Sequence, residues 1–332
     1  MNRNRHLAPI RKTFTTAAVL LCLAFWANVG AADERVVRIA VPDTSLGSKP
    51  SSTGLVDILT SQHLYEKALE GSNVKVQWVY FKGAGPAINE ALANQQVDLA
   101  YLGDLPAIVG RAQGLDTQLI SASRRNIPSY LAVQNNSDIK AVSDLKGRTI
   151  AVFRGTVMQL SLAQALEANG LSERDVKGVS LDLNAANAAL ASGNIDAAWG
   201  TSNLFALQEK GLAKVALSTR DHQNIGSYSA VLLGRRAFVS ANADIIAKIK
   251  TAQQDAYNWL IQPDNKTTYL RTLVDTNGYP EKVVQEEFGG EKFSSIFAIT
   301  LDDKFLSDLQ ERIKFAKKIR LIRSDFEVSG WM

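Results

Sequence analysis

Residues 144–171 combine a buried strand, a tight turn and an amphipathic helix in one short segment. Residues 149–153 form an apolar run with β-branched members, typical of a strand covered on both faces. Gly155 and Thr156 follow at once, and a helical apolar face then runs to residue 169. A strand followed directly by a helix favours an α/β fold. The N–H groups and the hydroxyl at this helix start could hold an anion, or Thr156 could simply cap the helix.

Five strand ends in the chain lead into small polar turns that open helices. They are Ser51-Ser52-Thr53-Gly54, Gly83-Ala84-Gly85, Gly103-Asp104, Gly155-Thr156 and Gly200-Thr201-Ser202. Ligands of open α/β sheets bind outside the carboxyl ends of the strands, so we expect these turns to face one cleft. There they would offer N–H and hydroxyl donors to a small oxyanion.

The same alternation of strands and helices continues through the chain. Strands are predicted at residues 36–41, 74–81, 97–101, 117–122, 130–134, 149–153, 179–183, 195–199, 214–218 and 229–233. Helices are predicted between most of them, the first at residues 55–69 and a long amphipathic one at 245–260. This order predicts mostly parallel α/β sheets, and the length favours two lobes.

Residues 1–32 have the features of a secretory signal peptide. Four basic residues and no acidic one precede or border an apolar run at residues 14–26, and small residues follow at 30–32. We therefore expect cleavage after Ala31 or Ala32 and export of the remaining chain.

The charge of the chain points to the same segment. The chain has 37 Lys and Arg against 33 Asp and Glu, a formal net charge of +4. The four excess bases lie in residues 1–32, so the remaining chain carries 33 charges of each sign. A net charge of zero gives no support for nucleic-acid or anionic-membrane binding. No second apolar run is long enough for a span, so we expect a soluble protein that meets a membrane only through a partner.

The exported residues offer little for catalysis. The only cysteine, Cys22, lies in the export segment, so the remaining chain has neither disulfides nor thiolate chemistry. His63 and His222 are the two remaining histidines, both expected to be exposed, and no His/Cys group has metal-ligand spacing. The G-x-S-x-G, P-loop and G-x-G-x-x-G motifs are absent. We therefore expect a binding protein with no catalytic residue, metal or cofactor.

Four residues near the turns each have two interpretations. Arg124 and Arg154 could grip a sulfonate or carboxylate through two donors, or be exposed to solvent. Asp104 could meet the amine of a zwitterionic ligand, or cap its helix. Trp199, at a strand end, could pack on a ligand or in the core.

Eight short motifs keep a characteristic order and spacing across most of residues 36–235. They are Val79-Tyr80-Phe81-Lys82-Gly83-Ala84-Gly85-Pro86, Asn89-Glu90-Ala91-Leu92, Val97-Asp98-Leu99-Ala100, Gly103-Asp104-Leu105-Pro106, Asp144-Leu145-Lys146-Gly147, Arg154-Gly155-Thr156, Gly193-Asn194-Ile195-Asp196-Ala197 and Ile225-Gly226-Ser227-Tyr228. Together they resemble the periplasmic aliphatic-sulfonate binding proteins of ABC importers. The wider group includes binders of taurine, nitrate and thiamine-precursor pyrimidines.

The resemblance implies a type II periplasmic-binding fold, with two α/β lobes that close on a ligand by a hinge. Two crossings between the lobes should fall near residues 123–129 and 223–227. The first lobe would then comprise residues 33–123 and 226–332, and the second residues 124–225. The resemblance further implies a monomer in the periplasm that delivers a small anionic solute to an ABC permease and its ATPase.

The resemblance also implies where the ligand lies. The ligand-facing positions carried over are Thr53-Gly54, Gly103-Asp104, Gly155-Thr156, Trp199-Gly200 and Ser227-Tyr228. The expected cargo is an aliphatic or aryl sulfonate or a sulfate ester. Taurine, nitrate or a heteroaromatic nutrient are alternative cargoes, and an enzyme or a sensor domain on the same fold are alternative classes.

Two departures from the family pattern concern the size of the cleft. The loop at residues 42–53 is longer than in the sulfonate binders. Trp199 is followed by Gly200-Thr201-Ser202-Asn203, where the family usually has an aromatic residue, an acid and a proline in succession. From the second departure we expect a cleft that accepts a bulkier or differently shaped ligand.

Overall fold

The computed structural model describes residues 34–45, 50–82, 84–275 and 278–332. The predicted signal peptide and its cleavage positions lie outside the described residues. Within those ranges, no helix combines the length and the apolar character that a membrane span needs.

Strands alternate with helices along the described chain. The strands are β1 (Arg35–Pro42), β2 (Val74–Phe81), β3 (Leu99–Gly103), β4 (Thr117–Ile127), β5 (Tyr130–Val133), β6 (Thr149–Val152), β7 (Lys177–Ser180), β8 (Ala197–Gly200), β9 (Lys214–Ser218) and β10 (Tyr228–Arg235). The helices are α1 (Leu55–Ser61), α2 (Leu64–Ala68), α3 (Ala84–Ala93), α4 (Asp104–Ala112), α5 (Val157–Ala168), α6 (Leu183–Ala191), α7 (Phe205–Glu209), α8 (Arg236–Ala241), α9 (Ala243–Leu260), α10 (Pro263–Asp275), α11 (Glu281–Phe288), α12 (Phe293–Ile296) and α13 (Asp303–Lys318).

These strands form two five-stranded sheets, in the orders β2-β1-β3-β10-β4 and β7-β6-β8-β5-β9. We call the first sheet with its helices the first lobe, and the second sheet with its helices the second lobe. In each sheet the first three strands of the order run parallel, and the fourth is antiparallel to both neighbours. The two-lobed α/β fold is confirmed, but the sheets are mixed, because each contains one strand that arrives directly after a crossing.

The chain crosses between the lobes twice, once between β4 and β5 and once between β9 and β10. The two crossings lie side by side. Tyr228 pairs with Ile127 on the first-lobe side. On the other side the N–H of Ser129 donates to Thr219 Oγ1 at 3.0 Å, and the N–H of Thr219 donates to Ser129 O at 3.0 Å. The expected lobe boundaries remain a prediction.

The first sheet has an apolar core on each face, which explains its nearly continuous apolar strands. Ile39 and Val41 of β1 face one core together with Ile249 of α9. Ala40, between them, faces the other core together with Ile313 of α13. Alternating residues of one strand thus enter different cores, as the twofold period of a strand requires.

The helix predicted at residues 55–69 is divided into α1 and α2. His63 adopts a left-handed backbone conformation with φ of 54°, which a continuous α-helix does not tolerate. The amphipathic helix predicted at 245–260 is present as α9.

Candidate ligand-binding cleft

A cavity of about 460 Å³ lies between the two lobes. Six parallel strands point their carboxyl ends at it, three from each sheet. The lining residues at or just after these ends are Pro42, Lys82, Gly103, Phe153, Asp182 and Thr201. The cleft thus lies where open α/β sheets bind ligands.

The lining of this cleft is mixed. Its neutral polar side chains are Thr44, Ser45, Ser52, Thr53, Ser123, Thr156, Asn184, Thr201 and Asn203. Its apolar side chains include Leu55, Val56, Tyr101, Leu102, Pro106, Ile127, Phe153, Val157, Met158 and Leu183. Both sets come from both lobes, so a ligand with a polar head and an apolar body would contact each lobe with both parts.

Arg124 of β4 is the buried cation of the cleft lining. Its Nη1 donates to Thr53 Oγ1 at 3.0 Å, and its Nη2 lies 2.6 Å from Glu287 Oε1. The guanidinium stacks over the ring of Phe288, 4.6 Å from its centroid. Burial disfavours the charge, but the carboxylate of Glu287 together with the hydroxyl groups of Tyr228 and Tyr269 outweighs this and raises the pKa of Arg124 above its ordinary value. Within the described residues, the buried Nε of Arg124 has no hydrogen-bond partner.

Thr156 lines the cleft and also caps its helix. Its Oγ1 accepts from the N–H of Met158 at 3.3 Å and donates to Phe153 O at 2.6 Å. The two interpretations of this residue are therefore compatible, since the hydroxyl that fixes the turn also lies in the cleft wall.

Asp104 lies behind the cleft, fully buried. Its Oδ2 accepts from the N–H of Ser229 at 2.8 Å and lies 3.2 Å from Arg312 Nη1. Burial raises the pKa of Asp104, and Arg312 and the backbone donors only partly oppose this. Asp104 therefore orders the turn at the end of β3 rather than lining the cavity, while Gly103 beside it does line the cavity.

Trp199 is buried in the core of the second lobe and is not part of the cleft lining. Its Nε1 donates to Ser161 Oγ at 2.8 Å. The structure therefore agrees with the second interpretation, in which Trp199 packs in the core. Ser161 on α5 accepts the hydrogen bond of the indole N–H inside the lobe.

Of the twelve site residues predicted from the sequence, five line the cavity and seven do not. Thr53, Gly103, Arg124, Thr156 and Tyr228 line the cavity. Those outside the lining are Gly54, Asp104, Arg154, Gly155, Trp199, Gly200 and Ser227.

Several of the residues outside the lining support it through their backbone. The N–H of Gly54 donates to Tyr269 Oη, and Ser227 O accepts from Arg312 Nη1 at 2.8 Å. Arg154 is exposed and donates to Gly178 O at 3.4 Å. The structure therefore turns this arginine toward β7, away from the cavity.

The two lobes touch beside the cavity at their helix starts. A Cβ added at Gly103 would lie 2.1 Å from Val157 Cγ1, and one at Gly155 would lie 3.1 Å from Pro86 Cγ. Gly103 therefore has to lack a side chain for α5 to approach β3 this closely. Two of the turns identified in the sequence, those at Gly103 and Gly155, thus act as contact surfaces between the lobes.

Sequence reasoning missed several residues around the cleft. Asp182 and Asn184 follow the end of β7, and the rule that strand ends line the cleft would have found them had β7 been placed two residues earlier. Glu287, the partner of Arg124, lies on α11 and has no local pattern that marks it.

The arrangement is suited to binding. Within the described residues the cleft lining contains no histidine or cysteine, and no group of acidic, histidine and cysteine side chains is placed to hold a metal. The charged side chains of the described lining are Asp43, Lys82, Arg124 and Asp182.

Three comparisons with known proteins agree with this architecture. The putative aliphatic sulfonates-binding protein of Escherichia coli (strain K12) is 30% identical over 242 residues, which cover 72% of this chain and 73% of the relative. The crystal structure of a putative periplasmic sulfonate-binding protein SsuA from Methylobacillus flagellatus KT is 30% identical, with a TM-score of 0.77 over 90% of this chain and 91% of that one. The desulfurization enzyme DSZB shares the fold at 16% identity and a TM-score of 0.64, covering 90% of this chain and 96% of its own.

The family model described as NMT1/THI5 like matches residues 71–266, more than half of the chain. The matched region contains β3, the second lobe and β10, and thus most of the strand ends around the cleft. The chain belongs to the NMT1/THI5-like family.

Proposed function

We propose that the protein captures a small organosulfur oxyanion, a sulfonate or a sulfate ester, and delivers it to an ABC permease and its ATPase. The observation that carries this proposal is the interlobe cleft, whose lining combines hydroxyl and amide groups from both lobes with one buried arginine that Thr53 and Glu287 hold in position. The names of the E. coli relative and of the M. flagellatus structure support the same ligand class.

The ligand contacts in this proposal are Thr53, Gly103, Arg124, Thr156 and Tyr228. Neutral donors suit a sulfonate, because its charge is spread over three oxygens that each accept hydrogen bonds. Closure of the lobes would remove water from these contacts and strengthen them. No step in this function requires a bond to be broken, and the protein acts as a carrier rather than an enzyme.

The proposed ligand carries a sizeable apolar group. The volume of about 460 Å³ is in the usual range for drug-sized ligands, well above what a methyl or ethyl sulfonate fills. Phe153, Met158 and Leu183 of the second lobe and Tyr101 and Val56 of the first would contact that group. Aryl sulfonates, longer alkyl sulfonates and aryl sulfate esters fit this description.

The second candidate is an aminosulfonate such as taurine. Asp43 and Asp182, one from each lobe, line the cleft, and either carboxylate could accept from an ammonium group. Nitrate and a heteroaromatic nutrient remain further alternatives with no comparable observation in their favour.

Residues 1–32 direct export in this proposal, with cleavage after Ala31 or Ala32, and the mature monomer works outside the cytoplasm. N-terminal sequencing of the exported protein tests this point. A start at residue 32 or 33 is expected, and a start at Met1 would contradict it.

The experiment that tests the ligand class is a thermal-shift panel on residues 33–332. The buffer has to be Tris chloride, since sulfonate buffers and phosphate, itself a tetrahedral oxyanion, could compete for the site. The panel contains methanesulfonate, hexanesulfonate, benzenesulfonate, phenyl sulfate, taurine, nitrate, sulfate and a thiamine-precursor pyrimidine. A ligand at about a hundred times its dissociation constant adds about 2.7 kcal/mol, or about 4 °C for a chain of this size.

A shift with benzenesulfonate, hexanesulfonate or phenyl sulfate and none with sulfate or nitrate is the expected result. A shift with taurine alone would favour the second candidate. A shift with the pyrimidine alone, or with no compound, would remove the organosulfur assignment.

A further inference from the structure

The carboxylate of Glu287 connects the two lobes. Glu287 lies on α11, which packs against α10 and against α7 and the turn Ser202–Leu204 of the second lobe, and it is only 6% exposed. Its Oε1 lies 2.6 Å from Arg124 Nη2, and its Oε2 accepts a hydrogen bond from Ser202 Oγ. Arg124 belongs to the first sheet, and Ser202 follows β8 of the second, so one buried side chain bridges them.

The second lobe also holds the backbone that carries Glu287. Arg220 follows β9 and donates to Glu286 O at 2.8 Å and to Glu287 O at 2.9 Å. Its Nε lies 2.7 Å from Glu291 Oε1. The carbonyl end of α11 is thereby fixed to the second lobe, while the Glu287 side chain reaches into the first.

Arg124 in turn depends on this bridge for its position in the cleft. One of its terminal nitrogens is held by Thr53 and the other by Glu287, with the ring of Phe288 stacked against its guanidinium. Arg124 and Thr53 both line the cavity, whereas Glu287 does not. Glu287 therefore acts on a ligand only through Arg124.

We propose that Glu287 is the positioning residue of the ligand site: its carboxylate holds Arg124 in the cleft wall and clasps Ser202 of the second lobe, so that the cleft is closed and its buried cation is neutralised by the same group. The inference rests on the proposed function only for the identity of the ligand, because the clasp, which is the hydrogen bond between Glu287 and Ser202, joins the two lobes through the protein's own side chains.

The clasp and the neutralisation predict opposite effects from two substitutions. Ser202→Ala removes the hydrogen bond between lobes and leaves the ion pair, so the closed form loses stability and ligand leaves faster. Glu287→Gln can keep both contacts, because its amide oxygen accepts from Arg124 Nη2 and its amide N–H donates to Ser202 Oγ, but it removes the negative charge that neutralises Arg124. An anionic ligand then gains a stronger partner, and its affinity rises.

The first experiment measures the distance between the lobes without ligand. Residues 33–332 contain no cysteine, so Glu90→Cys and Lys146→Cys place one spin label on an exposed position of each lobe. Ser202→Ala is expected to move the distance distribution toward longer values, and Ser192→Ala, an exposed serine of the second lobe, is the matched control. An unchanged distribution in Ser202→Ala would overturn the clasp, whatever the ligand proves to be.

The second experiment measures the binding of benzenesulfonate by stopped-flow and calorimetry. Ser202→Ala is expected to raise the dissociation rate constant about tenfold with little change in the association rate constant, as for one hydrogen bond to a charged acceptor. Glu287→Gln is expected to lower the dissociation constant about tenfold, and Glu281→Gln on the same helix is its control.

A loss of affinity in both variants would mean that Glu287 is merely structural, and the inference would fail. If benzenesulfonate and the other sulfonates do not bind the wild-type chain at all, the proposed function fails instead, and the distance measurement alone decides the clasp.

Discussion

The two sheets have the same topology but are stabilised differently at equivalent positions. In each sheet the residue before the third strand of the order is an aspartate, Asp98 before β3 and Asp196 before β8. Asp98 makes two hydrogen bonds with the backbone of Arg38 on β1, accepting one through its carboxylate and donating one through its N–H, and Asp196 does the same with Thr149 of β6. The distances are Arg38 N–Asp98 Oδ2 3.0 Å, Asp98 N–Arg38 O 2.9 Å, Thr149 N–Asp196 Oδ2 2.7 Å and Asp196 N–Thr149 O 2.9 Å.

The charges around the two aspartates differ. The guanidinium of Arg38 lies 2.8 Å from Asp98 Oδ1, and that of Arg235 on β10 lies 2.6 Å from the same atom. Among the described residues, Asp196 has no ion pair and is more exposed. In the described chain, the third strand of the second sheet begins with these two hydrogen bonds and no ion pair. In the first sheet, the ion pair between Asp98 and Arg235 additionally attaches β10, which comes late in the chain.

The largest expected effect is on the free energy of unfolding, when Asp98 is neutralised and Asp196 serves as the comparison. Asp98→Asn breaks a buried ion-pair network and leaves two arginines without their partner, so we expect a loss of about 3–5 kcal/mol in the free energy of unfolding. Asp196→Asn keeps an acceptor for the N–H of Thr149 and should lose about 1 kcal/mol. Urea unfolding of both variants measures the difference, and equal losses would show that the ion pairs add nothing to the shared backbone pattern.

The second contrast concerns the glycines that end β3 and β8. Gly103→Ala places a Cβ against Val157 of the other lobe, so it should disfavour the closed cleft and weaken ligand binding about thirtyfold, with little effect on unfolding. A Cβ at Gly200 meets only residues of its own lobe, Leu204 at 3.1 Å and Asn203 Oδ1 at an ordinary contact distance of 3.5 Å, so Gly200→Ala should alter stability slightly and affinity little. Calorimetric titration with benzenesulfonate measures both.

A second-site change makes this test more specific. Val157→Ala removes the atom that the new Cβ would meet, so Gly103→Ala combined with Val157→Ala should recover most of the lost affinity. No recovery would place the effect of Gly103→Ala within β3 instead of at the contact between lobes.

The third prediction is that the stabilisation from Asp98 depends on pH. Burial acts to raise the pKa of Asp98, but Arg38 and Arg235 outweigh it and hold the pKa below its ordinary value. In the unfolded chain an aspartate binds a proton with a pKa of about 3.9, so below that pH the unfolded state takes up more protons than the native one. The stabilisation from Asp98 is therefore present above about pH 4 and is lost as the pH falls through the native pKa.

The measurement is the free energy of unfolding of the wild type minus that of Asp98→Asn, followed from pH 6 to pH 2. The difference should shrink as the pH falls. A difference that stays constant would mean that the pKa of Asp98 is the same in the native and the unfolded state.

The smallest effect is expected at the aromatic residues of β3 and β8. Trp199→Phe removes the bond to Ser161, and Tyr101→Phe removes the hydroxyl that is 2.6 Å from Tyr65 Oη and 3.2 Å from Gln253 Nε2. Each lost hydrogen bond should cost about 1 kcal/mol of stability, to which Trp199→Phe adds the cost of the cavity left by the smaller ring. Ligand affinity should be unchanged in both variants, because the lost polar atoms point into the lobes. A change in the affinity of Trp199→Phe would instead support the first interpretation from the sequence, in which Trp199 packs on the ligand.

The local patterns of the sequence predict the strands, their carboxyl ends and the family, because each depends on residues close together in the chain. Gly103 and Thr156 could be placed at the cleft for that reason. The partners of Arg124 and Asp104 could not, since Glu287 and Arg312 are brought to them by helices far along the chain. The sequence also does not predict that β10 and β5 are antiparallel to their neighbours. Hydrophobic periodicity indicates whether a segment is a strand or a helix, but not which strand it pairs with.

The position of β10 also has a consequence for the order in which the protein can fold. The second sheet uses only residues 130–218, whereas β10 lies between β3 and β4 although it begins at Tyr228. During synthesis from the N-terminus, the second lobe therefore has all its strands before the first lobe does. The lobe that begins first is completed last, and until residue 235 has been made β3 and β4 lack the strand that pairs them.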